Sequence, residues 1–198
     1  MRPRGPRSVE GNSQTRPALI VSETQELVFL CKDDLVRLNS LVLEQEQDDP
    51  TVKVDSTVIN LGLLEGIVEG QSRKVFGYDP YPSLCDKAAY LLVNLAYHQC
   101  FCDGNKRTAW EACRVFLSLN HVSIYYNSEI AADICLEIAL LRETLPNTEN
   151  IDPAVASKIR ELSGWIKDNS FEMPPAKSGG KCGVHVPSVN TLRYVPTT

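Results

Sequence analysis

The sequence predicts an all-α fold, a bundle of about six helices with one short hairpin or extended loop. Three observations point there. Apolar residues recur at spacings of three and four in about six separate segments, the period of helices packed on a core. Strand-forming residues gather only in the short stretches "KVFGYDPYP" and "VSIYY". With 198 residues and 43% hydrophobic content, the chain suits one domain with tails, and no repeat at solenoid period interrupts it.

Taken in order, 20–29 reads as an extended segment that begins the fold. Lys32, Asp33 and Asp34 then open a helix, with the acids placed well for its N-terminal end, and Leu35, Leu38, Leu41 and Val42 share a face. The acidic run from 44 to 49 and Pro50 stop it. A second helix holds Leu61, Leu64 and Val68 and stops at Gly70. In "KVFGYDPYP", Val75 and Phe76 favour strand while Gly77 and Pro80 mark a turn, so a short hairpin or extended loop is expected. Ser83 and Asp86 have the spacing of a capping box, with aspartate where glutamate is usual. The helix they start carries Leu84, Ala88, Leu91, Leu92 and Leu95 and ends near Tyr97. Another runs from Asn105 to Leu119 with Ala109, Cys113, Phe116 and Leu117 inward, and Asn120 ends it. "VSIYY" is a short extended piece; helices at 129–145 and 153–167 follow, the last burying Val155, Ile159, Leu162 and Ile166 behind Pro153 at its start.

The domain is therefore expected at 25–169, between a flexible N-terminal tail at 1–24 and a flexible C-terminal tail at 170–198. The first carries Arg2, Arg4, Arg7 and Arg16 among prolines, and the second holds Pro174, Pro175, Gly179 and Gly180. A net charge of −5 argues against a general nucleic-acid binder, and no run of eighteen apolar residues marks a membrane span. Seven cysteines, an odd number set among apolar residues, read as small buried hydrophobes in a reducing, cytoplasmic compartment rather than a disulfide framework. His98, Cys100 and Cys102 lack a second ligand pair at zinc spacing.

The chemistry-bearing stretch is "YHQCFCDGNKRTAWE", 97–111. Gly104 permits a tight bend with the backbone close to a ligand. The helix that follows offers free N–H groups and the positive end of its dipole. Lys106 and Arg107 add full charges, and arginine can grip phosphate oxygens through two parallel bonds. Asp103 can hold a magnesium ion that bridges phosphates. Asn105 can donate to a phosphate or cap the turn. Phe101, apolar inside a polar loop between two apolar helices, pins the loop to the core.

Gln99-Cys100-Phe101-Cys102-Asp103-Gly104-Asn105-Lys106-Arg107 resembles the Fic/Doc family motif His-x-Phe-x-Asp/Glu-Gly-Asn-Gly/Lys-Arg, and in particular its death-on-curing, Doc-like branch. "GLLEG" at 62–66, "YPSLCDKAAYLLVNLAY" at 81–97 and "TAWEACRVFLSLN" at 108–120 are similar as well, as is "DDLVRLNSLVLEQ" at 33–45 more weakly. The likeness covers about 30–168 and leaves out both tails. It implies the Fido-type helical bundle, with "KVFGYDPYP" as the flap that lines up target chains. It also implies transfer of AMP or phosphate from ATP, with magnesium, to a hydroxyl of a target protein. Lysine at 106 is shared with the prototype toxin, which phosphorylates a translation elongation factor, and Doc-like toxins are restrained by antitoxins. By the same resemblance Asp103 is the magnesium ligand, Gly104, Asn105 and Lys106 form the phosphate-binding turn, Arg107 grips phosphate, and Phe101 is the buried anchor.

One position departs. The family's general base is a histidine four residues before the acid, and here that residue is Gln99, with His98 one place early. If the chain is helical there, one residue turns a side chain by about 100°. Glutamine can orient a hydroxyl but cannot take its proton. Three arrangements stay open: a weak or dead enzyme that still binds nucleotide, a shifted loop that brings His98 into the site, or a glutamine that orients substrate for slow chemistry. The family's inhibitory helix, Ser/Thr-x-x-x-Glu-Gly/Asn, finds no match. Pro6, Leu61, Glu65 and Leu145 stand where its Ser or Thr would precede Glu10, Glu65, Glu69 and Glu149. Restraint would then come from an antitoxin or inhibitor chain.

Overall fold

The computed structural model describes residues 26–45, 55–144 and 151–173, with the backbone alone at 151 and 152. Among them the order is α1 (Lys32–Glu44), α2 (Leu61–Gly70), α3 (Leu84–His98), α4 (Asn105–Leu119), β1 (Val122–Ile124), α5 (Ser128–Thr144), α6 (Ile151–Asn169) and β2 (Ser170–Glu172). The fold is all-α, as expected, and each helix lies within a few residues of its sequence-based place. The expectations for 1–24, for 46–50 and for the chain from 174 onward fall outside the described residues.

The axle of the bundle is α3. Every residue from Leu91 to Tyr97 is buried, as in a helix surrounded by others. It packs on α4 and α6, and also on α5 and α2, while α1 lies along α4. Its start is the capping box read from the sequence: Asp86 N–H donates to Ser83 Oγ at 3.1 Å, and Ser83 N–H donates to Asp86 Oδ2 at 3.0 Å. Ser163 on α6 donates to the other Asp86 oxygen at 2.6 Å, so one carboxylate caps α3 and fastens α6 to it. On α2 the inward residues are Leu64 and Ile67, with Val68 half-buried. Leu61 stays about half exposed. Gly70 closes α2, and a Cβ there would overlap the Tyr90 hydroxyl.

The hairpin expected in "KVFGYDPYP" exists in minimal form. Val75 and Tyr78 exchange both backbone hydrogen bonds, at 2.8 and 2.9 Å, around Phe76 and Gly77. Both turn residues have positive φ, 49° and 82°, the geometry of a two-residue hairpin turn. The C-terminal boundary needs correction. Ser170–Glu172, assigned to the flexible tail, form β2 and pair antiparallel with β1, in the register Val122↔Glu172, Ser123↔Phe171 and Ile124↔Ser170. Three residues are too short for alternation to register in a sequence, and their partner lies almost fifty residues away.

The extended N-terminal segment is held by two amide side chains. Gln71 accepts from Leu30 N–H at 3.2 Å and donates to Leu30 C=O at 2.8 Å. Asn120 does the same for Val28, at 2.9 and 3.0 Å. Each amide replaces the missing neighbour strand for one residue.

Burial pushes the Asp86 carboxyl up, but hydrogen bonds from Ser163 and Ser83, with the Lys87 charge, outweigh it and hold it below the usual range. A depressed folded-state pKa means stability that is present above the unfolded value and lost as pH falls through the folded one. Asp86→Asn should therefore cost about 1 kcal/mol at neutral pH, lowering Tm by a few degrees. The difference from the parent should shrink below about pH 4. Thermal melts at both pH values check it, and a gap that persists in acid would contradict the assignment.

Candidate phosphate-binding site

The chain leaves α3 at Gln99, whose backbone is left-handed (φ 52°, ψ 65°) and whose N–H reaches Leu95 C=O at 3.4 Å. Helical geometry thus stops at His98, so the condition for a 100° helical offset between the two side chains is not met. The His98 ring lies edge-on to Tyr97, with centroids 5.1 Å apart. His98 and Gln99 are both half-buried, whereas Tyr97 is buried.

The next residues are stitched to the segment before α2. Cys100 C=O accepts from Ile59 N–H at 2.9 Å and Asn60 N–H at 3.3 Å, and Cys102 N–H donates to Thr57 C=O at 2.9 Å. Phe101, at the centre of this pairing, is buried to 1% exposure, the anchor the sequence suggested. Asn105 completes it. Its side-chain oxygen accepts from Phe101 N–H at 2.8 Å, and its nitrogen donates to Phe101 C=O at 2.7 Å. The amide is therefore committed to closing the turn. Of the two roles open to it, it takes the cap.

Gly104 precedes α4 with φ 74°, and a Cβ there would lie 3.0 Å from Asn39 Nδ2 and 3.1 Å from Leu43 Cδ2. Conformation and close approach both require glycine. Asn39, fully buried on α1, donates to Asp103 C=O at 2.8 Å and to Thr108 Oγ1 at 3.0 Å, so α1 holds the bend from behind. Sequence reasoning missed Asn39. Its signal was position, four residues after Leu35 and three before Val42 on the buried face of α1.

No side chain caps α4, and its first backbone bond within the helix runs from Thr108 N–H to Gly104 C=O at 2.8 Å. The first turn accordingly sits at the positive end of a fifteen-residue helix whose N-cap, Gly104, has no side chain to close it. Lys106 is exposed, and Arg107 keeps about a third of its side chain accessible. Asp103 is 72% exposed and 3.9 Å from Arg107, beyond hydrogen-bond reach, so acid and cation are near without being locked together. Gly104, Asn105, Lys106 and Arg107 are thereby brought into one turn with Asp103 beside it. Among the described residues no three His, Cys, Asp or Glu side chains gather as a metal cage. A single accessible carboxylate next to a cationic helix start fits a magnesium ion that takes most of its ligands from phosphates and water.

The thiols of Cys100 and Cys135 are buried, and burial pushes them up to about 11 and about 12. They behave as core, as expected from sequence. Exposed Cys102 bonds to Asp55, whose carboxylate raises the thiol's pKa, so the thiol at the rim of the loop stays protonated.

A family model described as the Fic/DOC family matches residues 29–117, the span from the N-terminal segment through most of α4. Residues 29–117 are thus similar to the Fic/Doc family. Toxin Doc of Mycolicibacterium smegmatis (strain ATCC 700084 / mc(2)155) is 43% identical over 84 residues, which cover 41% of this chain and 65% of that protein. The chain thus matches somewhat under two thirds of that relative's length. The matched Fic/Doc span contains both the cradle and the elements that brace it, α1 and the segment before α2.

Gly104→Ala should destabilise the domain by about 1–3 kcal/mol through backbone strain, and Asn39→Ala by a similar amount through loss of two buried hydrogen bonds. Urea unfolding reads both, and an unchanged midpoint would remove the bend's dependence on α1.

Proposed function

We propose that this chain is a Doc-like, toxin-like transferase that binds ATP with magnesium and moves a phosphate or AMP onto a protein hydroxyl. The observation that carries this reading is the uncapped α4 start, with Lys106, Arg107 and accessible Asp103 around it. First-turn N–H groups and the two cations would neutralise the triphosphate, with Gly104 letting the backbone come close. Asp103 would hold the magnesium, which when bound draws charge from the phosphate oxygens. Phosphoryl transfer relies mostly on positioning and charge neutralisation, so a preorganised cradle retains some rate without a strong base. Gln99 would orient the acceptor hydroxyl and leave its proton to solvent, which weakens catalysis. By family analogy the acceptor is an elongation factor, and an antitoxin or inhibitor chain supplies the restraint that no internal motif provides.

Gln99 also favours a second reading, a nucleotide- or partner-binding protein without chemistry. Labelled ATP, magnesium and a translation elongation factor separate the two. Under the first reading the parent labels the acceptor above an Arg107→Ala control. Gln99→His then raises the rate by about a hundred- to ten-thousand-fold. Label only in Gln99→His supports the second reading. Calorimetry showing no ATP–magnesium binding by the parent would defeat both as nucleotide-site proposals.

A further inference from the structure

Lys87 is a cation that the cradle does not use, and it is buried to 4% exposure in α3. Its sequence position explains the burial: it lies three residues after Leu84 and four before Leu91, on the helix's inward side. Its Nζ donates to Asp79 Oδ2 at 2.7 Å and to Gln71 C=O at 2.9 Å, and stands 5.9 Å from the Phe29 ring centroid. A buried ammonium needs such partners, since removing one leaves an uncompensated charge.

Gln71 and Asp79 bracket the flap. The chain departs at Gln71, turns at Phe76–Gly77 and returns at Asp79, and both ends attach to one ammonium. The flap itself has little apolar anchorage: Val75 is 47% exposed, Tyr78 70%, and Phe76 at the tip fully exposed. Asp79 also accepts from Tyr81 N–H at 2.9 Å, fixing the direction in which the chain returns to α3. Burial would raise the Asp79 carboxyl, yet bonds from Lys87 and Tyr81 and the charges of Lys87 and Lys74 hold it below the usual range.

We propose that Lys87 is a positioning residue: by clasping both ends of the 71–79 loop through Gln71 C=O and Asp79, it sets the angle at which the flap presents a target chain to the cradle. The effect on transfer rests on the functional reading above; the clasp itself does not. Lys87 lies near the start of α3 and the cradle loop departs from its end, so the clasp fixes the flap on the helix that carries the cradle.

Asp79→Asn tests it in the full chain, with Lys87→Met as a second variant that keeps the stem and removes the charge. Hydrogen exchange is followed at the Val75 and Tyr78 amides, with the Leu92 amide in the core of α3 as reference. ATP–magnesium affinity comes from calorimetry, and KM and kcat from transfer to the elongation factor. The flap amides should exchange about tenfold faster while Leu92 is unchanged. ATP affinity should stay within about twofold, and KM for the elongation factor should rise about tenfold with kcat nearly constant. Unchanged flap exchange overturns the proposal, as does equal loosening of flap and α3, which would make Lys87 a support of the whole fold. A parallel loss of ATP affinity also overturns it. Failure of the functional reading shows separately, as absent ATP binding in the parent, and the exchange comparison then still decides whether the clasp holds.

Discussion

Everything at the site depends on how the backbone crosses from α3 to α4 in the six residues 99–104. A stretch that short cannot form regular structure, yet its buried N–H and C=O groups must find partners. The solution is borrowed pairing. Residues 57–60 supply a strand-like edge to Cys100 and Cys102, and the Asn105 amide serves Phe101 on the other side. With Phe101 buried, the bend has little freedom, and the start of α4 emerges in a fixed direction. The positive character of that helix end follows from this fixed helix start as much as from Lys106 and Arg107.

The same device recurs across the molecule. Asn105 on Phe101, Gln71 on Leu30 and Asn120 on Val28 each use one amide to accept an N–H and donate to the C=O of a single residue. Aspartate or glutamate would satisfy the N–H and repel the carbonyl, so these positions call for the amide specifically. A bundle with few strands thus orders its non-helical segments through side chains rather than sheets.

Local chemistry explains what could be read from the sequence. The box at Ser83 and Asp86, the apolar spacing of α3 and α4, and the Gly104 bend all lie within a few residues of the signal that reveals them. The glycine-bearing bend, the two cations and the buried phenylalanine were likewise legible in order along the chain. What escaped depends on residues far apart in sequence. Asn39 reaches Asp103 across 64 positions, and β2 becomes a strand only because β1 waits beside it. Lys87 falls between Leu84 and Leu91 on a buried stripe, and only the fold brings it its partners Gln71 and Asp79. Leu61 went the other way: the helical period is right, but α2 turns only Leu64 and Ile67 fully inward. Gln99 illustrates a third limit: the helix end near Tyr97 was legible, but the left-handed backbone that follows it was not.

The corner at Asn120 and His121 has a geometric consequence. Asn120 grips Val28 near one end of the described chain, and His121 C=O receives the Met173 N–H at 2.8 Å at the other. Entry and exit therefore meet at the C-terminal tip of α4, a helix of fifteen residues spanning about 22 Å. The described domain is thus entered and left at one corner, a full helix length from the glycine bend at the start of α4.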